Sequence, residues 1–276
     1  MPISSHIIES VGLRTRVLQA GALDAEEAVV FVHGVPGSAN AWDDLLPRVG
    51  AFGRAVAYDL PGFGETDRPE VWDYSSSGYA LHLAGVLHEL GIRRVHLVLT
   101  DLGSVAMFWA AAQPGAFASA VLIDGGVPVG WRWHAVARVF RTPLVGPIAE
   151  RAGRLGFTPI MRFYTAGTPL SRGQLREWRR IYDRGARRAL RRYYQATPAS
   201  AAEHLVPGLR RLDRPALVIW GERDRFMAAE QAELQRESFP GAEVHIIEAS
   251  SHYVHLDAPD RVADLVVPFL RRQVGA

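Results

Sequence analysis

Asp101, Asp224 and His252 are the residues of this chain whose types and order could do chemistry together. A carboxylate of ordinary pKa, about 4, is ionised at neutral pH and can attack an electrophilic carbon with no base to activate it. A histidine oriented by a second carboxylate can then take a proton from the water that cleaves the resulting ester. Two of the three have rivals. Asp124 in Val121-Leu-Ile-Asp124 ends an apolar run just as Asp224 does in Gly221-Glu-Arg-Asp224; Asp224 is preferred as the orienting acid. His255 lies near His252 in Ser250-Ser-His-Tyr-Val-His255, and His252 is preferred. Asp59 reads as loop support. The remaining histidines, His134 among them, show no metal-ligand spacing, so no metal or other cofactor is expected. The chain has no cysteine, which excludes thiolate catalysis and disulfides.

These residues need a scaffold that brings strand ends together. Val95 to Leu99 is a near-continuous apolar run, the pattern of a strand buried on both faces. It stops at Thr100-Asp101-Leu102-Gly103, and Val105 to Gln113 reads as a helix ending at Pro114. A strand turning at once into a helix, with one reactive residue at the turn, is a nucleophile elbow. Such a turn wants small residues two before and two after its apex. Gly103 meets the second requirement; Leu99 is bulky, which leaves open a register with Thr100 displaced toward the apex. Apolar strands at 28–32, 54–59, 120–124, 215–221 and 243–248 alternate with helical patterns, which implies a parallel sheet covered on both faces. An antiparallel pair is expected before them, at 7–10 and 14–19.

The alternation breaks between Pro128 and about Leu212, where helical segments separated by Gly and Pro replace strands. Ser171-Arg-Gly-Gln174 is a capping box opening one long helix toward Tyr193. More than half of the arginines lie here, against four acids, Glu150, Glu177, Asp183 and Glu203. The expected division is a core of residues 1–126 and 213–276 with a helical insertion at 127–212. A last helix starts near Pro259, and Pro268 should kink or shorten it.

Composition narrows the class. The 276 residues are 48% hydrophobic and 22% charged, as in an ordinary globular protein. No signal segment and no apolar run of about 20 residues is visible, so a cytoplasmic protein without a membrane partner is expected. All 31 basic residues are arginine, but the formal net charge is only +2, which argues against nucleic acid.

Together, His33-Gly-Val-Pro36, Pro61-Gly-Phe-Gly64, Asp101 at the turn, Gly221-Glu-Arg-Asp224, and His252 with Leu256-Asp-Ala-Pro259 resemble the epoxide hydrolase and haloalkane dehalogenase branch of the α/β-hydrolases. The resemblance spans nearly the whole chain and implies a mostly parallel eight-stranded sheet with helices on both faces and an inserted helical cap. It also implies that Asp101, Asp224 and His252 follow the family's order of nucleophile, acid and histidine. The backbone N–H groups of Val35 and Leu102 would then hold the oxyanion of ester hydrolysis. Dehalogenases of the branch place Trp directly after the nucleophile, where this chain has Leu102. Fluoroacetate-type enzymes use arginines there, replaced here by Leu102 and Val105.

Epoxide hydrolases of the branch protonate the opening ring with cap phenols, one about thirty residues before the acid. Tyr193 and Tyr194 precede Asp224 by 31 and 30 residues. Tyr164 is the nearest second phenol. Trp131, Trp133 and Pro36 are expected to line the pocket, suiting a bulky apolar small molecule. The expected activity is therefore epoxide opening. The alternatives are haloalkane dehalogenation, ester or lactone hydrolysis, and non-hydrolytic cyclisation. A catalytically inactive ligand-binding relative is the alternative of another class, and the intact Asp-His-Asp set speaks against it. A homodimer is left open.

Overall fold

The computed structural model describes residues 1–165 and 171–275, with every side chain in them but that of Arg154. An antiparallel pair opens the chain, β1 (Ser4–Ser10) with β2 (Leu13–Gly21), followed by β3 (Glu27–Val32). Then come α1 (Leu45–Gly50), β4 (Arg54–Tyr58), α2 (Ser76–Glu89), β5 (Arg94–Thr100), α3 (Ala106–Ala112) and β6 (Phe117–Ile123). Among the described residues helices alone follow: α4 (Ala135–Arg141), α5 (Val145–Tyr164), α6 (Arg172–Ile181), α7 (Arg184–Ala196) and α8 (Val206–Leu212). The sheet resumes with β7 (Ala216–Gly221), α9 (Glu230–Leu234), β8 (Glu243–Ile247), α10 (Val254–Asp257) and α11 (Pro259–Gln273). The eight strands form one sheet in the order β1-β2-β4-β3-β5-β6-β7-β8, antiparallel from β1 to β4 and parallel from β4 onward.

Continuous apolar runs become central strands because both of their faces are covered. In β3, Ala28, Val30 and Val32 join the core layer under α2, α3 and the helical insertion, while Val29 and Phe31 join the opposite layer with α1 and α11. The same alternation splits β7 into Ala216, Val218 and Trp220 against Leu217 and Ile219. Strand period and burial therefore agree, and the parallel strand ends collect along one edge. Among the described residues no helix is long and apolar enough to cross a membrane.

Three helical expectations are corrected. The helix expected from Ser171 to Tyr193 is two helices. The capping box at Ser171 and Gln174 forms, but the chain leaves the helix at Tyr182 and restarts with Asp183 as N-cap, whose side chain accepts from Ala186 N–H at 2.9 Å. A second correction is α5, which runs unbroken through Gly153, Gly156 and Pro159. Likewise α11 continues five residues past Pro268 to Gln273. A proline inside a helix costs about 3 kcal/mol, whereas burying one large apolar side chain returns about 1.5–3. Val262, Val266, Phe269 and Leu270 are all buried around Pro268, and Phe157 and Met161 are buried around Pro159. Packing outweighs propensity in both helices.

The helix that carries Tyr193 and Tyr194 is tied to the core from below. Arg68 pairs with Asp183 at its N-cap, and Arg188 meets Glu70 at 3.1 Å.

Candidate active site

Asp101 is the first residue past β5 and has a φ of +46°, in the left-handed region that L residues other than Asn and Asp seldom adopt. Thr100 stays extended inside β5, so the displaced register is not adopted. Leu99 does not crowd the turn, because its side chain packs into the core layer with Val32 and Leu97. Gly103 provides the close approach of helix to strand: a Cβ there would lie 2.3 Å from the Val32 carbonyl oxygen. Gly34 does the same for the facing loop, since a Cβ there would sit 2.6 Å from Asp101 Cβ. That contact lets the Val35 N–H donate to Asp101 Oδ2 at 2.6 Å, and the Leu102 N–H also favours the charged carboxylate.

The other oxygen faces the histidine. His252 Nε2 is 3.5 Å from Asp101 Oδ1, and His252 Nδ1 is 2.7 Å from Asp224 Oδ2. Asp224 is itself held, its Oδ1 accepting from the N–H groups of Phe226 at 2.7 Å and Met227 at 2.9 Å. Burial pushes the Asp101 carboxyl up, but His252 and the two N–H donors outweigh it and leave the group below the usual carboxylate range. Burial pulls His252 down, and Asp224 and Asp101 together outweigh that and hold it well above an ordinary imidazole. Both shifts favour the carboxylate–imidazolium form of the pair.

Asp124 is buried close by, yet both its oxygens are spent on backbone. Oδ1 accepts from Gly221 N–H at 2.7 Å and Oδ2 from Val254 N–H at 3.0 Å, joining the end of β7 to the start of α10. Asp224→Asn should therefore lower turnover on the order of 10²–10⁴-fold with little change in thermal unfolding midpoint. Asp124→Asn should mainly lower the midpoint, because an amide would aim N–H at N–H. A larger turnover loss in the Asp124 variant would reverse the assignment of the acid. His255 stacks on Trp42, with centroids 5.4 Å apart, instead of meeting Asp101. Asp59 accepts from the N–H groups of Ala39 and Glu65 and holds its loop.

Two largely apolar voids meet at Asp101. One, of about 670 Å³, is walled by Trp131, Trp133 and Tyr193; the other, of about 590 Å³, by Val35, Pro36, Phe157 and Met161. Asp101, His134, Leu190, Tyr194 and Phe226 line both. A third void, of about 840 Å³, reaches Asp101 from the side of Asn40, Gln174 and Glu177. Tyr164 is not among these walls; it stacks on Phe226 with ring centroids 3.7 Å apart. Tyr193 and Ser76 line the first void together, and the Tyr194 hydroxyl lies 3.4 Å from His134 Nε2.

Sequence reasoning missed several of these neighbours. Phe226 stands 4.8 Å from both His252 and His134, ring to ring, and its place two residues after Asp224 was the available signal. The Tyr253 hydroxyl donates to the Val35 carbonyl at 3.2 Å and so braces the loop that supplies the Val35 N–H. A Ser-His-carboxylate set, Ser119, His96 and Glu27, lies toward the N-terminal ends of β5 and β6, at 2.8 and 3.1 Å. Its serine is fully buried, so the set ties strands together without facing a cavity.

A model of the α/β-hydrolase family matches residues 29–265, and the chain belongs to that family. The 2-hydroxy-6-oxononadienedioate/2-hydroxy-6-oxononatrienedioate hydrolase of Burkholderia vietnamiensis is 28% identical over 282 residues, covering 97% of this chain and 94% of its own. In fold the chain is similar to the haloalkane dehalogenase DbeA of Bradyrhizobium elkani, with a TM-score of 0.85, 24% identity and 98% of each chain covered. It is also similar to the epoxide hydrolase CorEH, with a TM-score of 0.82, 20% identity, and 98% of this chain and 99% of that one covered.

Proposed function

We propose that this α/β-hydrolase opens an epoxide on a bulky, largely apolar small molecule to a diol, through a covalent ester on Asp101. The supporting observation is the division of labour between the two Asp101 oxygens. Oδ2 accepts from the Val35 N–H, while Oδ1 faces His252. Oδ1 attacks a ring carbon, the C–O bond of the ring breaks, and the ring oxygen takes the proton of Tyr194. Oδ2 becomes the ester carbonyl. With the Asp101 charge gone, His252 loses its resting proton to solvent, to regain it once the carboxylate is re-formed; water then gives a proton to the freed Nε2 and adds to Asp101 Cγ, placing negative charge on Oδ2, where the Val35 N–H already points. Collapse expels the diol oxygen, which takes the proton from His252. The proton left on the regenerated carboxyl returns to Tyr194, so the sum is epoxide plus water to diol.

An alkoxide is too basic to leave readily without an acid, whereas halide is not. That difference calls for an acid, and Tyr194, which lines both voids at Asp101, is favoured over Tyr193, which lines one of them, and Tyr164, which lines neither. One observation favours haloalkane dehalogenation as the second choice. The Trp133 indole N–H is buried without a hydrogen-bond partner, and Trp133 walls the first void. Such a donor suits a departing halide.

Intact-mass measurement of the His252→Gln protein with a panel of epoxides and haloalkanes separates the readings. An epoxide adduct adds the whole epoxide mass; a haloalkane adduct adds the alkyl group without its halogen. Epoxide adducts are expected. Haloalkane adducts alone would favour the second choice, and none at all would leave ester hydrolysis, cyclisation or binding without covalent chemistry.

A further inference from the structure

We infer that His134 is a positioning residue for Tyr194: its Nε2–H donates to the phenol oxygen, which leaves the phenol proton to point into the cleft beside Asp101. This inference rests on the epoxide reading and on Tyr194 as its acid.

The hydrogen-bond directions carry the argument. His134 is the N-cap of α4, and its Nδ1 accepts from the Ala137 N–H at 3.3 Å. A nitrogen that accepts carries no proton, so a neutral His134 must carry its proton on Nε2. The opposite tautomer would set Nδ1–H against the Ala137 N–H, donor against donor. Nε2 is the atom 3.4 Å from the Tyr194 hydroxyl. This distance is long for a hydrogen bond, as contacts in an unliganded site often are before substrate tightens them. Since His134 is the donor, the Tyr194 O–H is free to donate elsewhere, and Tyr194 lines both voids that meet at Asp101.

The surroundings keep the imidazole neutral. Phe226 lies 4.8 Å from its ring, Tyr194 5.9 Å, Tyr164 6.0 Å and Trp131 6.4 Å, with Trp133 at 6.5 Å. Desolvation there pulls the group down to about 4, with Asp101 opposing. The same donor has a second use. Burial, with the Asp101 charge adding to it, pushes the Tyr194 phenol well above its ordinary value, which opposes loss of its proton. A phenolate formed during ring opening accepts the waiting Nε2–H bond, so His134 both aims the proton and eases its departure.

The test has two independent arms. Two-bond proton–nitrogen correlation of the histidine rings at neutral pH should show His134, identified by its loss in His134→Asn, as the Nε2–H tautomer. Its Nε2 signal should move in Tyr194→Phe. An Nδ1–H form or an imidazolium would overturn the proposal whatever the enzyme's activity. The second arm measures ester formation with an epoxide in the His252→Gln background. Asn retains a good helix cap but cannot reach Tyr194 as a donor, so His134→Asn should keep the unfolding midpoint and slow ester formation about 10–100-fold with unchanged epoxide affinity. The same change made on Tyr194→Phe should add nothing. An unaffected rate in His134→Asn beside a slow Tyr194→Phe would overturn the positioning role alone. Unaffected rates in both would remove Tyr194 as the acid, and with it the ring-opening step proposed above.

Discussion

Asp101→Ala is expected to reduce turnover by at least about 10⁴-fold while the thermal unfolding midpoint stays near that of the wild type. Two opposing effects explain the small stability change. Alanine is less tolerant than aspartate of a φ of +46°, a cost of order 1 kcal/mol, but the change also removes a carboxylate from a largely buried site. Asp101→Asn is the cleaner companion, because asparagine suits the left-handed turn and its amide oxygen can still accept from Val35 N–H. It should fold as the wild type does and lack a nucleophile. Turnover retained in both variants would mean that the carboxylate is not the attacking group, and that water or another residue reaches the substrate directly.

The second large effect is at His252. His252→Gln should form the ester and stop, accumulating one adduct per protein with turnover reduced on the order of 10⁴-fold. The wild type should approach the same state in acid. In the resting enzyme two carboxylates hold the His252 proton against the effect of burial. Esterification removes the charge of Asp101, the nearer support on the Nε2 side, so His252 releases its proton more readily and becomes available as a base. As pH falls, the imidazole of the ester form remains protonated and hydrolysis slows, whereas attack by Asp101, held below the usual carboxylate range, continues. Rapid quenching across pH should thus find the adduct fraction rising toward acid. An adduct fraction independent of pH would exclude His252 as the base of the second step.

The parts of the molecule legible in its sequence are those governed by short-range rules. Apolar runs named the central strands because a strand buried on both faces has no polar alternative, and strand ends in an α/β sheet gather at one edge. Asp101, Asp224 and His252 were therefore placeable before any coordinates. Leu99 looked like an obstacle because the pattern for a tight turn concerns crowding, while crowding depends on where the side chain goes. It goes into the core. The insertion was less legible. Asp183 breaks a helix by capping the next one, and Pro159 and Pro268 fail to break theirs because buried neighbours on either side outweigh them. The choice between Tyr193, Tyr194 and Tyr164 was closed to sequence altogether, because it turns on which void each phenol lines, and those voids are walled by distant segments.

The covalent role of Asp101 is tested most directly by one turnover in ¹⁸O-water, with enzyme in excess over an epoxide that forms an adduct. If the ester forms on Asp101, the new diol oxygen comes from Asp101 Oδ1, and the water oxygen enters the regenerated carboxyl. After that single turnover the diol should be unlabelled, and the peptide containing Asp101 should be heavier by one ¹⁸O. Label in the diol, with the peptide unchanged, would show that water attacks the ring directly and would contradict the ester on Asp101.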